Sequence, residues 1–583
     1  MNLNQKRKIN NNSEDASVPT KKHRDEAGQK KGTQRKSDGT PKVHPKSQHD
    51  SKDFGKGRDS KKPGTGQRSN KKKQHLTSIV TEAKANYQLY TDKKVEKDEK
   101  QLLLKSTYDL VKDHIPELSR MKGMGKVIAS LLDRKDRKRN MHVLSGFVDK
   151  DAKLLLVKGN GYRLAAKLIQ VGNAEIIKQF VEACMSNGKG LRPLMASFKS
   201  APVLNAAYVN GNVEVKRSIL SKLVLGNMPF SVDDLPLVEV FSKSKKDVVE
   251  ECKTFLQSIL NGKTIKYEII QDILVLCIQT RASTGMDVDE FIKVTSENII
   301  PLCRRISNCT LALWTIWLAS AQMRKHMMKN MKGKLVSLLQ THNGLMFMMA
   351  LIESTDDTKT LNKIVLKEFL EPLDDLVKNA DARKLLEFLL APRSTKFMHP
   401  KDIEILKEGD SVRTSKKSEV ARFDEIRDYM QESILTAFQN NCGLWLQDNK
   451  LCLFIIAVVE RYGYAFEAEL LQKLATVMSA KDFSKRIVDK AVRMVLESLI
   501  TADVSRFEDN ADAPLFLNAF IPDLGKTQRA VLIKNCARFL SNILEAAPKL
   551  NKGLTFKIKK SWLNEKSVQE AVNEYKTRSA VNK

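Results

Sequence analysis

The sequence predicts an all-α protein, and more specifically an α-solenoid. Apolar residues recur with helical spacing in one segment after another, whereas alternating strand patterns of comparable length are missing. A short phrase of sequence also recurs at intervals of 37 to 39 residues. Amphipathic helices joined by short connections bury their apolar faces against their neighbours, which is how a helical array is built.

The helical periodicity is clearest over residues 247–260, where the apolar positions form one wide stripe and Asn261-Gly262 supplies a C-terminal stop. The same pattern predicts helices over residues 174–185, 213–225, 269–278, 361–370 and 487–500. Between about residues 226 and 300 the helices continue while the repeat becomes irregular.

Length and charge narrow the class of protein. The chain has 583 residues, more than one hydrophobic core normally serves, and a formal net charge of +31. Its longest apolar run, residues 451–459, is far shorter than the roughly 18 residues that span a bilayer. The first residues are polar and basic rather than a signal peptide. We expect an intracellular protein, not bound to membranes, with a polyanionic partner.

The N-terminal residues 1–76 differ from the rest. They contain 21 Lys/Arg and 8 Asp/Glu, a net charge of +13, and few apolar residues. Such a composition predicts a disordered basic tail. Its basic clusters at residues 6–8, 21–24 and 71–73 favour nuclear or nucleolar targeting, with a solubilising tail or a membrane-surface segment as alternatives. The remaining +18 predicts a basic face on the folded part.

Searches for catalytic and metal-binding motifs indicate a binding protein rather than an enzyme. The eight cysteines form no CxxC pair, and the nine histidines are scattered. Gly123-Met124-Gly125-Lys126 lacks the spacing and the hydroxyl residue of a phosphate-binding loop. We therefore expect no cofactor, no metal and no catalytic residues.

The recurring phrase gives the register of the repeats. It begins at residues 121, 157 and 198, and its anchor residues are Val127, Leu164 and Val203. Later copies are anchored at Phe347 and Leu385. These nearly constant spacings indicate an internal repeat.

The phrase Lys158-Gly159-Asn160-Gly161-Tyr162-Arg163-Leu164 resembles a Pumilio-type (PUF) repeat. A more specific resemblance, to the Penguin-like branch of nucleolar PUF-related proteins, lies in Leu389-Leu390-Ala391-Pro392-Arg393, Gly409-Asp410, Ser415-Lys416-Lys417 and Arg422. The resemblance implies PUF-like three-helix repeats over residues 77–393 and a helical Penguin-like (CPL) region over residues 394–583. It also implies RNA binding in the nucleolus, in pre-rRNA processing and large-ribosomal-subunit assembly.

In sequence-specific PUF proteins, one helix per repeat reads a base edge with two residues and stacks a third between bases. The aligned edge positions here are Gly125 and Ala129, Tyr162 and Ala166, Ala201 and Asn205, and Leu345 and Met349. Most of these side chains cannot pair with a base edge. We therefore expect little sequence preference.

The cationic residues of the same repeats remain, and they favour contact with phosphates. The predicted RNA-binding residues are Lys122, Lys126, Arg134, Lys135, Arg137, Lys138, Arg139, Lys158, Tyr162, Arg163, Lys167, Arg192 and Lys199. Tyr162 is included because its ring could stack on a base, although packing against the next repeat is an alternative. The alternative is that these cations lie on ordinary solvated helix faces, which is a weaker alternative for the basic loop at residues 134–139.

These observations lead to one main hypothesis and two alternatives. The main hypothesis is a monomeric nucleolar protein that holds structured RNA, pre-rRNA in particular, through its phosphates while contacting pre-ribosomal assembly proteins. The first alternative is a sequence-specific mRNA-binding translational repressor. The second is a helical-repeat scaffold whose groove binds acidic peptides and whose tail serves only for nuclear import.

Overall fold

The computed structural model describes residues 65–119, 121–133, 135–148, 161–185, 190–226, 236–304, 309–480, 486–487, 489–550 and 552–581. The chain divides into two units, residues 1–68 and 69–583, and only residues 65–68 of the first unit are described. The predicted disorder of residues 1–64 lies outside the described residues. Residues 65–76, also assigned to the tail, begin a helix in which Leu76 is buried.

Within the described ranges the ordered elements are helices, and no β-strand is present. The α-helices are Thr65–Thr91, Lys97–Val111, Ile115–Ser119, Met124–Ser130, Arg137–Val148, Tyr162–Val171, Ala174–Met185, Arg192–Ala196, Ala201–Asn210, Val213–Val224, Leu237–Ser242, Lys246–Ile259, Glu268–Thr284, Asp289–Glu297, Ile299–Cys303, Thr310–Leu318, Ala321–Met331, Leu335–Leu338, His342–Ser354, Thr358–Leu361, Lys367–Leu370, Leu373–Lys378, Ala380–Leu390, Pro400–Glu408, Glu419–Trp445, Cys452–Tyr462, Ala468–Ser479, Lys490–Asp509, Phe516–Asp523, Lys526–Asn535, Ala537–Leu550 and Lys566–Val581. No described helix is long and apolar enough to cross a membrane.

The helices form where the apolar stripes predicted them. Lys246–Ile259 buries Val248, Val249, Cys252 and three further apolar residues of its stripe. Full burial of a Val, Ile, Leu or Phe side chain stabilises the fold by roughly 1.5–3 kcal/mol. Polar caps fix several helix starts; the Asn212 side chain, for example, accepts a hydrogen bond from the Val215 amide at 2.9 Å. All eight cysteines are buried free thiols.

One row of helices, the first row, runs through the unit. Each member packs against the next, and the repeat anchors Val127, Leu164, Val203, Phe347 and Leu385 lie on it. Its members are Met124–Ser130, Tyr162–Val171, Ala201–Asn210, Glu268–Thr284, Thr310–Leu318, His342–Ser354, Ala380–Leu390, Cys452–Tyr462, Lys490–Asp509 and Ala537–Leu550. This arrangement confirms the predicted helical-repeat fold.

The row clarifies two regions that the sequence left open. In the irregular stretch, Leu237–Ser242 and Lys246–Ile259 precede the next member of the row, Glu268–Thr284. The row also passes the predicted domain boundary at residues 393–394 without a break, because Ala380–Leu390 packs directly against Cys452–Tyr462.

A second row lies beside the first. Its N-terminal part contains Arg137–Val148, Ala174–Met185, Val213–Val224 and Lys246–Ile259, in which each helix contacts the next. Farther along the chain, Asp289–Glu297 packs against Ala321–Met331, which packs against the helical segment at residues 358–370. In that segment a π-helical turn, Asn362–Leu366, joins Thr358–Leu361 to Lys367–Leu370.

Residues 391–417, here called the strap, leave the first row and cross back over it. The strap helix Pro400–Glu408 contacts the row helix His342–Ser354, and the turn Gly409–Ser411 contacts Thr310–Leu318. A Cβ at position 409 would lie only 2.5 Å from Nε1 of Trp317, so glycine is required for this close approach. The Thr414 amide then donates to the Trp317 carbonyl at 3.0 Å.

Ion pairs hold the strap in place. The Arg393 guanidinium forms two hydrogen bonds of 2.7 Å to the buried carboxylate of Glu353 and two more of 2.7 Å to Asp410. Arg413 pairs with both carboxylates. Arg422 donates to Asp356 at 3.2 Å, next to the end of the His342–Ser354 helix. The Penguin-like motif residues thus close the strap onto the row.

Glu387, in the row helix Ala380–Leu390, gives a prediction about pH. Burial raises the pKa of Glu387 to about 7, although the nearby Arg383 guanidinium, with Nε 3.9 Å from Oε1, acts in the opposite direction. The folded chain therefore binds more protons than the unfolded chain between about pH 4.5 and 7, and stability falls as pH rises through that window. We expect Glu387→Gln to raise the free energy of unfolding by roughly 3 kcal/mol near pH 8 and by under about 1 kcal/mol near pH 5.

Urea unfolding at both pH values measures this difference. The exposed Glu404 provides the matched control, because Glu404→Gln removes a carboxylate that is already solvated. A gain from Glu387→Gln that is the same at both pH values would contradict the buried-carboxylate explanation.

Candidate nucleic-acid interface

The eight edge-reading positions offer little to a base. Gly125, Ala201, Leu345 and Met349 are buried. Ala129 and Ala166 carry only methyl groups. The two polar residues bond within the protein, because the Tyr162 hydroxyl accepts from Arg163 Nε at 3.0 Å and the Asn205 side chain accepts from the Ile269 amide at 3.3 Å. The edge-reading positions of the described repeats therefore present no evident set of side chains that could hydrogen-bond to a base edge.

Cations occupy the outward side of the same row. Lys126 on Met124–Ser130 and Arg163 on Tyr162–Val171 are exposed, while Val127 and Leu164 beside them are buried. Lys167 lies one turn beyond Arg163, half-buried, with its Nζ 3.3 Å from Gln170 Oε1. Lys122 is exposed in the turn before the first of these helices. We call Lys122, Lys126, Arg163 and Lys167 the cationic stripe.

An exposed aromatic residue that the sequence analysis missed stands at the start of the third repeat. Phe198 is 83 % exposed, and the Lys199 ammonium lies 5.7 Å from its ring centroid. Exposed aromatic rings beside cations are the usual stacking platforms for bases. The sequence could have indicated this residue, because a phenylalanine stands where the other copies of the repeat phrase begin with Met121 and Val157.

The basic loop after the first row helix divides into two kinds of residue. Lys135, Arg137 and Lys138 are exposed at the start of Arg137–Val148, which belongs to the second row. Arg139 is bound within the fold. It pairs with Asp136 at 3.0 Å, donates to the Leu131 carbonyl at 3.1 Å and lies 4.8 Å from the centroid of the Tyr108 ring.

Arg192 also acts within the fold. Its guanidinium donates to the carbonyls of Leu223 and Val224 at 2.8 and 3.0 Å, at the C-terminal end of Val213–Val224, and pairs with Glu251 at 3.1 Å. This geometry is typical of helix capping by arginine. Two other predicted residues, Arg134 and Lys158, lie outside the described residues.

Comparison with known proteins identifies one domain and several relatives. The sequence of the CPL (NUC119) domain matches residues 378–512. Pumilio homolog 3 from Rattus norvegicus is 23% identical over 391 residues, covering 65% of this chain and 58% of that protein. The human Pumilio homolog 3 is 23% identical over 389 residues, with the same shares. Protein penguin from Drosophila melanogaster is 19% identical over 209 residues, 36% of this chain and 28% of that protein.

The fold itself has solved counterparts. The crystal structure of human Puf-A in complex with DNA matches with a TM-score of 0.68 at 18% identity, covering 85% of this chain and 99% of that one. Human Puf-A crystallised alone gives the same TM-score at 19% identity, covering 86% and 100%. The chain spans about 58% of the length of the Pumilio homolog 3 proteins that it matches. With its row of repeats, its strap motif and its CPL domain, the chain is similar to the Penguin-like proteins of the Pumilio/PUF family.

Proposed function

We propose that this chain is an RNA-binding protein with little sequence specificity, which holds structured RNA through its phosphates. One observation carries the proposal: cations line the row helices on which the edge-reading positions are buried, apolar or bonded internally. The fold neighbour solved in complex with DNA supports a nucleic-acid partner. The chain acts as a binding protein rather than an enzyme.

The mechanism follows from the chemistry of the stripe. Lysine and arginine side chains that contact phosphates release condensed counterions, and this release drives binding without reading sequence. Arg163 presents a planar guanidinium at the position that stacks between bases in sequence-specific PUF proteins. Phe198 adds a ring on which a base could stack whatever its identity.

The triple variant Lys126→Gln, Arg163→Gln, Lys167→Gln tests this mechanism. We expect it to weaken binding of a structured RNA at least about tenfold at moderate salt and to reduce the slope of log K against log salt by roughly 2 to 3, because three phosphate contacts are removed. Fluorescence anisotropy over a series of salt concentrations measures both quantities.

The matched control removes three exposed lysines elsewhere on the described surface. Lys243, Lys245 and Lys246 stand at the start of Lys246–Ile259, and changing all three to Gln removes the same charge. This control should keep the wild-type slope. Equal losses in the two triple variants would mean that net charge, rather than the stripe, determines binding.

The alternative of a sequence-specific mRNA repressor is separated by selecting RNA ligands from a random pool. Phosphate binding predicts a pool without a consensus, whereas a strong consensus would favour the repressor. The buried Leu345 and Met349 favour the first outcome, because these positions cannot reach a base edge.

For the cellular role we propose nucleolar localisation and action in pre-rRNA processing and large-ribosomal-subunit assembly, together with pre-ribosomal assembly proteins. The similarity to Penguin-like proteins supports this role. Crosslinking in cells, followed by sequencing of the bound RNA, should yield mainly pre-rRNA. Protein adducts without RNA would instead favour the scaffold, whose groove binds acidic peptides.

A further inference from the structure

A concentration of lysines lies on the second row, away from the cationic stripe. It occupies the helix Ala321–Met331, the turn that follows it, and the packed segment at residues 358–370. Seven lysines there are exposed, and we call them the lysine ridge: Lys325, Lys329, Lys332, Lys334, Lys359, Lys363 and Lys367.

The backbone places these lysines in two neighbouring lines. Lys359, Lys363 and Lys367 are four residues apart, about one turn each. All three are exposed while Leu361, Val365 and Phe369 between and beyond them are buried, so the lysines follow the outer side of the segment and of its π-helical turn. Lys325 and Lys329 have the same spacing on the neighbouring helix. Packed helix axes are about 8–10 Å apart, which puts the two lines within reach of a single ligand.

The turn that carries Lys332 and Lys334 is fixed against the second helix. Gly333 has a φ of 76°, in the left-handed region that favours glycine. Its amide donates to one oxygen of Glu368 at 2.7 Å, and the Leu335 amide donates to the other at 3.0 Å. The ridge is therefore built on positioned backbone and not on a loose loop.

Three carboxylates beside the ridge are already engaged. The two oxygens of Glu368 accept the amides just described. Asp357 bonds to the Thr360 amide and lies 3.4 Å from Lys325. Glu425, at the edge of the ridge, pairs with Lys417. These contacts leave most of the ridge lysines without a carboxylate of their own among the described ion pairs.

The ridge contrasts with its neighbour in the second row. The helix Asp289–Glu297, which packs against Ala321–Met331, carries three exposed acids and a single lysine. From Ala321 to Lys334, in contrast, the chain has four exposed lysines, one buried arginine and no acid. The positive charge of the ridge is thus not shared by the second-row helix that packs against it.

We propose that the lysine ridge is a second nucleic-acid contact surface, which binds the phosphate backbone of an RNA duplex. Two lines of lysine suit two rows of phosphate. The ridge helices expose no Phe, Tyr or Trp, whereas surfaces for single strands rely on aromatic stacking. Duplex RNA is bound chiefly through its phosphates and 2′-hydroxyls, which requires no ring. The ridge is a different surface from the cationic stripe, and the two proposals share only RNA as the ligand.

The test uses the full chain and a mixed-sequence RNA duplex of about 20 base pairs, slightly longer than one double-stranded-RNA domain covers. The variant is Lys359→Gln, Lys363→Gln, Lys367→Gln, and the control is again Lys243→Gln, Lys245→Gln, Lys246→Gln. We expect the ridge variant to bind the duplex at least about tenfold more weakly and to lower the salt slope by roughly 3, while the control keeps both wild-type values. All six lysines are exposed, and matching thermal melts would verify the fold.

Comparison with the stripe variant separates this proposal from the proposed function. Loss of binding in the stripe variant alone would overturn the ridge and leave the proposed function standing. Loss in the ridge variant alone would support the ridge and overturn the cationic stripe as the surface that carries the proposed function. Equal loss in ridge and control variants would overturn the ridge as a specific surface. Wild-type duplex binding by the ridge variant, with loss of crosslinks to an acidic protein in cells, would also overturn it in favour of a protein partner.

Discussion

Arg393→Ala is expected to lower the free energy of unfolding by about 3–5 kcal/mol, because it leaves buried carboxylate charge without its main partner. Glu353 is 1% exposed and receives two of its hydrogen bonds from Arg393. After the substitution, the ion-pair partner left to Glu353 among the described residues is Arg413, whose Nη1 lies 3.5 Å from Oε2. Arg393 also holds a φ of 52°, a strained conformation that its four short carboxylate bonds stabilise in the native chain.

Chemical unfolding measures the loss, and hydrogen exchange over residues 391–417 should show the strap opening first. Lys396→Ala is the matched control, because Lys396 is a strap residue whose ion pair with Glu460 is partly exposed. Exposed pairs contribute under about 1 kcal/mol, so the control should change little. Similar losses for both variants would contradict the assignment of the strap to buried ion pairing.

Asp503→Ala is expected to lower the free energy of unfolding by a similar amount, roughly 3–5 kcal/mol near pH 8. Asp503 lies in the row helix Lys490–Asp509, far along the chain from the strap. Its buried carboxylate accepts the amides of Phe516 and Leu517 at 2.8 and 2.9 Å, at the start of the helix Phe516–Asp523. It also pairs with the buried Arg506 at 3.1 Å. Burial raises the pKa of Asp503 only to about 6, so the carboxylate is ionised under these conditions.

Asp503→Asn separates the two parts of this effect. The amide oxygen still accepts a backbone hydrogen bond while the charge opposite Arg506 is lost, so a smaller loss than in Asp503→Ala is expected. Urea unfolding of both variants gives the comparison. A loss from Asp503→Asn that equals the loss from Asp503→Ala would assign the whole effect to the ion pair.

The array was predictable from sequence because its signal is repeated. Ala174–Met185 begins and ends where the apolar stripe predicted, and the anchors Val127, Leu164 and Val203 fall on consecutive row helices. Periodicity does not determine which helix packs on which. The sequence therefore did not show that Glu268–Thr284 follows Ala201–Asn210 in the first row. The predicted end of the disordered tail, residue 76, lies inside the helix Thr65–Thr91. The first turns of this helix have the same polar composition as the tail, so the sequence did not distinguish them.

The candidate site was less predictable because arginine and lysine look alike in a sequence whatever their donors contact. Arg139 and Arg192 were grouped with Lys126 and Arg163, yet their guanidinium groups bind carbonyls and carboxylates of the fold. The strap depends on contacts between distant residues, such as Arg393 with Glu353, 40 positions apart. The motif residues on the strap were identified only through the family resemblance. Glu353 is the one acid in an apolar helix, and nothing in the sequence indicated that it pairs with Arg393.

The strap has a consequence for the way in which the protein comes apart. A linear array is held only by contacts between neighbours, so it frays from its two free ends inward. The strap joins Thr310–Leu318 and His342–Ser354 to residues that follow them by up to a hundred positions. Fraying from either end must therefore stop at the middle until the buried ion pairs break. Under tension the chain should unravel in two separate runs, and the strapped helices should yield last.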